Sequence, residues 1–375
     1  MNAIKITTDK EGFLNPKINS ETCTNCGWCK KGCPALKVEE PATAIPLAYG
    51  VRYINDDSKL FNSASGGAFL GFAETIIQKG GWVFGAALNE SLVCEHIAVN
   101  SIDKLDTLQG SKYVQSDTLN TYKTVSNLIK KGVKVLYSGC PCQIAGLYAY
   151  LGHRPDLLYT VDLACHGVAS PLLFKKYIGW FEEKYKTKVL QYKFRTKYPT
   201  WIFKGSLQHT YQYNDTYMGK SRMQPYHYHY LKYNVYRRCC YECVYINSKR
   251  LGDVTIGDLV NISLIAPEVE DNRGVSAILV RTEQGKKLLE QSTPMFSVKE
   301  INYEKLITHH TSMVSSSPGA PPMRNEIYKK INMLNDYEYI QKELVNRIRL
   351  KDKFIFLLPH NLKATIKRLM RKSPK

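Results

Sequence analysis

Residues 134–151 read KVLYSGCPCQIAGLYAYL. Lys134–Ser138 is a short apolar run with the β-branched and aromatic character of a buried strand. Gly139, Cys140 and Pro141 break it, and Gln143–Leu151 then has the spacing of a helix. A strand that runs through a cysteine-bearing turn into a helix is half of an α/β unit. The same alternation extends outward. Phe69, Phe72, Ala73, Ile76 and Ile77 fall on one helical face, with Ser65 at the expected N-cap and Gly80-Gly81 at the end. Trp82–Leu88, Val93–Val99, Leu157–Ala164, Asp253–Gly257 and Ser276–Arg281 read as strands, and Pro171–Tyr185 as a helix. The fold class expected is therefore mixed α/β or α+β.

Four segments follow: a small cysteine-dense module (1–37), a proline-containing linker (38–60), the mixed body (61–300) and a helical, basic C-terminal region (301–375). The chain has 375 residues, 44% of them hydrophobic and 23% charged, enough to build a packed core and incompatible with a disordered chain. No apolar run approaches the roughly 18 residues of a spanning helix. The first residues lack an apolar signal segment, so a cytoplasmic location is expected. The net charge of +19 is uneven, with ten Lys/Arg against the single acid Asp352 from Arg347 onward. There Leu362, Ile366, Leu369 and Met370 form an apolar stripe ringed by Lys and Arg, which suits either an anionic membrane surface or docking on the body.

Eleven cysteines in an unexported chain favour metal or redox chemistry over disulfides. The strongest signal is Cys23-x2-Cys26-x2-Cys29-x3-Cys33-Pro34. Four thiolates so closely spaced suit a 4Fe–4S cube, whereas zinc sites more often pair two separated C-x2-C units. With Ala3–Ile18 in front, the module looks like the second half of a two-cluster ferredoxin whose first Cys run is missing. Either the chain start is truncated, or Cys33 is a local or spare ligand. Cys142, Cys165 and the pair Cys240-x2-Cys243 follow strand ends or chelating spacing, a weaker sign of a second metal site. Cys94, Cys140 and Cys239 read as packed or incidental thiols.

Ser65-Gly66-Gly67 opens a helix, a seat for a cofactor phosphate or an ordinary capped turn. Gly110-Ser111-Lys112-Tyr113 offers a turn, a hydroxyl, a cation and a stackable ring. No G-x-G-x-x-G follows a strand and no G-x-x-x-x-G-K-[ST] occurs, so neither a Rossmann site nor a P-loop is indicated. His166, beside Cys165, is a candidate proton donor or a satisfied loop histidine. Tyr226–Tyr241 holds six of the 26 tyrosines. There Tyr226, Tyr228 and Tyr230 alternate with His227 and His229 at the period of a strand.

Taken in order, Ser63-Ala-Ser-Gly-Gly67, Leu108-Gln-Gly-Ser-Lys-Tyr113, Pro141-Cys-Gln143, Asp162-Leu-Ala-Cys-His-Gly167, Cys240-Tyr-Glu-Cys243 and Asp253-Val-Thr-Ile-Gly-Asp258 resemble the coenzyme F-420 hydrogenase/dehydrogenase beta-subunit family. The resemblance covers about residues 60–290. It implies a body that carries FAD and a 4Fe–4S cluster, with Cys142, Cys165, Cys240 and Cys243 as cluster ligands. It implies that Ser65, Gly66, Gly67 and the Gly110, Ser111, Lys112, Tyr113 loop line the flavin. Family members pass electrons between ferredoxin or hydrogenase partners and a deazaflavin, or reduce organic substrates. Similar chains accompany surface-polysaccharide genes. The missing first Cys run and the basic tail depart from the family pattern. The expected function is an iron–sulfur flavoprotein oxidoreductase. An electron-transfer adaptor with no substrate is the alternative, and a zinc-containing nucleic-acid binder is the least favoured.

Overall fold

The computed structural model describes residues 3–36, 45–197, 208–213, 215–220, 224–245, 250–269, 271–309 and 319–357. Thirteen strands are found among them. They are β1 (Ile4–Thr8), β2 (Leu14–Ile18), β3 (Leu47–Tyr53), β4 (Trp82–Leu88), β5 (Cys94–Val99), β6 (Val135–Gly139), β7 (Leu158–Leu163), β8 (Gln191–Thr196), β9 (Gln208–Tyr213), β10 (Asp215–Lys220), β11 (Val254–Asp258), β12 (Ser276–Val280) and β13 (Phe296–Glu300). Eight form one mixed sheet in the order β13-β3-β12-β11-β7-β6-β4-β5. Its centre is parallel, β4 with β6, β6 with β7 and β7 with β11. Both flanks are antiparallel. The expected mixed α/β class is what the chain adopts, with helices packed against the sheet.

The parallel centre explains the strand sequences. Val135–Gly139 is buried at every position, as strands covered on both faces must be, so it reads as a continuous apolar run. In the strand Leu158–Leu163 every position before Leu163 is equally buried, Thr160 and Asp162 included. Thr160 is matched: Asp253 accepts from its amide (2.8 Å) and hydroxyl (2.7 Å), and from the Thr282 hydroxyl (2.7 Å). Burial raises the Asp253 carboxyl above its ordinary range.

Three expectations need correction. The stretch 38–60, expected to be a linker, supplies β3, which pairs with both β12 and β13 inside the main sheet. Its residues are buried in no simple alternation, so it shows no period-2 signal. The alternating Tyr226–Tyr230 stretch is a helix, Pro225–Leu231, and not a strand. Pro225 stands at its first turn, and both histidines are buried along with the tyrosines, so the polarity pattern carries no periodicity. Ser65 does not cap helix Ala68–Gln78. Gly67 holds the N-cap position at φ +78, and the Ser65 hydroxyl donates to the Val275 carbonyl at 2.9 Å.

The amino-terminal module is docked on the body. Strands β1 and β2 form a hairpin whose turn carries Glu11 and Phe13 into the core beside Tyr328. Arg324 holds Glu11 through both guanidinium nitrogens, one contact at 2.9 Å, and donates Nε to the Tyr236 carbonyl at 2.9 Å. Gln115 clamps Leu14 by accepting from its amide and donating to its carbonyl. Helix Pro322–Lys329 and the wide helical turn Ile340–Val345 belong to the same core cluster as helix Pro171–Tyr185. The apolar stripe at 362–370 lies outside the described residues. No helix among the described residues is long and apolar enough to cross a membrane.

Candidate functional site

Parallel neighbours β6, β7 and β11 end on one edge of the sheet, where loops converge. Strand β6 runs into Cys140, which caps helix Pro141–Leu151, and into Cys142 in the helix's first turn. The Cys140 amide donates to Gln143 Oε1 at 2.9 Å, and the Gln143 amide reaches Ser116 Oγ at 2.9 Å, so the helix start is fixed from two sides. Strand β7 runs into Cys165, whose sulfur lies 3.8 Å from that of Cys140. The short turn Arg238–Cys240 delivers Cys239 and Cys240 to the same place.

The body thiols feel one another. Burial pushes Cys142 up to about 12, and the Cys165, Cys243 and Cys239 sulfurs push in the same direction. Cys240 is raised by its contact with Cys239, by burial and by Cys165. In the Cys140–Cys165 pair, the hydrogen bond lowers Cys165 and raises Cys140. The four predicted ligands, Cys142, Cys165, Cys240 and Cys243, are thus brought into one neighbourhood. Cys140 and Cys239, read from sequence as incidental, stand among them. A scan of strand ends alone would have found Cys140, because it follows β6 directly.

Among the described residues, no three Cys, His, Asp or Glu side chains close around one metal-sized point. The donor set is nevertheless pure thiol, which suits soft metals and iron–sulfur clusters over hard cations. Cys23 and Cys26 lie between β2 and the helical turn Trp28–Lys31, Cys29 within that turn and Cys33 just beyond it, with Cys26 and Cys29 exposed. Their run ends close to the body thiols, since the Tyr245 hydroxyl donates to the Pro34 carbonyl at 2.5 Å. Pro34 adjoins Cys33, and Tyr245 is two residues from Cys243.

The two candidate flavin loops also meet. Gln109 donates to Ser63 Oγ at 2.9 Å and to the Lys59 carbonyl at 3.1 Å. The Ser65–Gly67 segment is packed rather than open: a Cβ on Gly66 would lie 2.3 Å from the Ser276 nitrogen and 2.4 Å from the Val51 oxygen. Gly110 differs, at φ +77 with the nearest atom, the Asn62 oxygen, 4.0 Å from a notional Cβ. Lys112 turns its ammonium onto the Gln109 (2.8 Å) and Thr107 (3.2 Å) carbonyls, and burial pulls it down to about 8. Tyr113 stacks on Tyr230, and its carbonyl accepts from the Tyr226 hydroxyl at 2.7 Å. His166 is half-buried between Cys165 and Gly167.

Sequence reading missed Arg195. It pairs with Asp258 at 2.8 Å, at the carboxyl end of β11, and hydrogen-bonds to Tyr113. Lys197, beside it, is buried against the Leu60 and Ser65 carbonyls. Both lie in a stretch without motif, and only the folded sheet brings them to the loops.

Comparison with known proteins bears on this arrangement. Residues 132–304 match the profile for the C-terminal part of the coenzyme F420 hydrogenase/dehydrogenase beta subunit. No curated protein matches the chain. Among solved structures, a chain of the F420-reducing [NiFe] hydrogenase complex from Methanosarcina barkeri, in a xenon-derivatized crystal, is similar at 16% identity. The likeness covers 81% of this chain and 93% of that one, with a TM-score of 0.47. The matched profile spans the thiol neighbourhood from Cys140 to Cys243 and the sheet edge that holds it, so this part of the chain is similar to the C-terminal part of the coenzyme F420 hydrogenase/dehydrogenase beta subunit.

Proposed function

We propose that the protein is an iron–sulfur flavoprotein oxidoreductase that passes electrons between a redox partner and an organic acceptor or a deazaflavin. The observation that carries this reading is the gathering of Cys140, Cys142, Cys165, Cys239, Cys240 and Cys243 at one sheet edge, one aromatic stack away from the Gly110–Tyr113 loop. The similarity of residues 132–304 to the C-terminal part of a hydrogenase/dehydrogenase beta subunit supports a redox role and protein partners.

In this reading Cys142, Cys165, Cys240 and Cys243 hold a 4Fe–4S cluster in the body, and Cys23, Cys26, Cys29 and Cys33 hold another. FAD sits against the Ser65–Gly67 and Gly110–Tyr113 loops. Bound there, clusters supply single-electron steps and a flavin converts them to two-electron chemistry. The chain's own residues do the rest. Buried thiols must give up protons to bind metal, so cluster loading is favoured as pH rises. The Tyr113 ring, locked by Tyr230 and Arg195, presents a fixed face for a planar ligand. Lys112 keeps the loop's carbonyls in place and brings a positive charge near it. His166, next to Cys165 in the chain, is a candidate proton donor.

Anaerobic purification with assay of iron, acid-labile sulfide and flavin per chain tests this. About eight irons and one flavin are expected, from four irons per cube. Cys240→Ser with Cys243→Ser should remove about four irons and leave the rest. A colourless protein without sulfide would overturn the reading. Retained flavin with no turnover of any organic acceptor would favour the adaptor.

A further inference from the structure

Strand β8 has two unlike faces. Tyr192 and Phe194 point into the aromatic core, where Phe174 lies 5.1 Å from each ring. The alternate positions carry Lys193 and Arg195, and Lys197 continues that alternation just past the strand end. All three cations meet one segment, residues 60–65, or the sheet edge beside it. Lys193 donates to Asn62 Oδ1 at 3.2 Å, and Lys197 donates to the Leu60 carbonyl at 2.8 Å and to the Ser65 carbonyl. Arg195 takes Asp258.

The charges do not balance. Among the described residues, Asp258 is the one carboxylate bonded to these three cations. Lys193 and Lys197 rest on neutral oxygens, and the Arg195 Nε is buried without a hydrogen-bond partner. Lys197 is almost fully buried, and burial together with Arg195 pulls its amine down to about 7. Arg195 and Lys197 are like charges held together largely away from water, which is costly unless an anion joins them. At Gly110 a notional Cβ would meet no atom nearer than the Asn62 oxygen at 4.0 Å. Asn62, which Lys193 holds, is also the residue facing the open position of Gly110.

We propose that Lys193, Arg195 and Lys197 form an anion subsite that takes the phosphates of a ligand seated across Gly110. Successive same-face positions on a strand stand about 6.6 Å apart, so neighbouring cations can each reach a different phosphate of one ligand. Cationic side chains bind phosphate oxygens through short charge-assisted hydrogen bonds. The phosphates come either from the dinucleotide half of FAD or from a phosphorylated substrate. The inference rests on the flavin reading of the same loops.

The test uses the full-length protein and two variants, Lys193→Gln and Lys197→Gln. The first lies at the surface and keeps the test open if the second, being buried, fails to fold. Flavin retained on purification is measured first. Flavin-depleted protein is then titrated with FAD, riboflavin and inorganic pyrophosphate. If the phosphates belong to FAD, the variants bind FAD at least about 10-fold more weakly, while riboflavin is unchanged. If they belong to a substrate, FAD binding is unchanged and pyrophosphate binding falls by a similar factor. Pyrophosphate bound by a protein that takes no flavin would sink the flavin reading and leave the subsite standing. Unchanged binding of all three probes in folded variants would overturn the proposal.

Discussion

The ring of Tyr113 stacks on that of Tyr230 with centroids 4.5 Å apart and an interplanar angle of 28°. Tyr230 lies within electrostatic reach of Cys165 and Cys140, and its hydroxyl donates to the Gly167 carbonyl at 2.9 Å. One stacked pair therefore ties the 108–113 loop to the thiol edge. Tyr230→Phe keeps the stack and removes one hydrogen bond, at an expected cost of about 1 kcal/mol. Tyr230→Ala removes a buried ring, at roughly 3–5 kcal/mol. Urea denaturation gives both values. Flavin content should fall in the alanine variant and persist in the phenylalanine variant; equal flavin content in both would show that the stack does not shape the loop.

The amino-terminal hairpin depends on a second pair. Arg324 is fully buried and Glu11 nearly so, and their two-point contact is backed by the Tyr236 carbonyl. Arg324→Ala leaves the Glu11 carboxylate buried with, among the described residues, only the more distant Arg238 at 3.5 Å. Loss of one partner of a buried pair costs about 3–5 kcal/mol. Amide exchange in β1 and β2 should accelerate well before exchange in β6 and β7. Uniform acceleration across the chain would mean that the hairpin is no separate unit.

Much of this is legible in the sequence. Parallel strands buried on both faces announce themselves as apolar runs, so β6, β7 and helix Pro171–Tyr185 can be read almost to the residue. Strand β3 cannot, because Pro46 and Gly50 sit where a linker would put them and burial on both sides erases alternation. The cysteines of the body are marked by their position after strand ends. Arg195 and Lys197 are not, because nothing local marks a cation whose partners are more than 60 residues away in the chain.

The two candidate flavin loops place different demands on their glycines. At Gly66 an added Cβ meets backbone atoms of β3 and the segment entering β12, neither of which can swing aside. Gly66→Ala should therefore destabilise by several kcal/mol, in the range of overpacking plus backbone shift. At Gly110 the added atom meets open space, and the cost is the left-handed backbone alone, about 1 kcal/mol. Thermal unfolding of the two variants measures the contrast. The Gly110 variant should fold yet retain less flavin, since its new methyl enters the space across from Asn62. Full flavin retention in Gly110→Ala would exclude that space as part of the cofactor seat.

Acid should weaken the fold through His229. This imidazole is buried. Asn234 Nδ2 donates to its Nδ1 at 3.0 Å, which leaves Nε2–H to donate to the Leu344 carbonyl at 2.9 Å. Both ring nitrogens are thus satisfied in the neutral form, and burial pulls the group down to about 4. The unfolded chain titrates near 6.5 and takes up its proton first as pH falls. Stability from this group is therefore complete above about pH 6.5 and is lost progressively down to about pH 4. At ~1.4 kcal/mol per unit the total approaches about 3 kcal/mol. His96, drawn to about 4 by the same cause, adds a parallel loss, so the variant and not the raw slope isolates His229. Denaturation free energies at pH 7.5, 6 and 5 should fall less steeply in His229→Gln than in the unmodified protein. Equal slopes would mean that the ring does not stay neutral in the folded state.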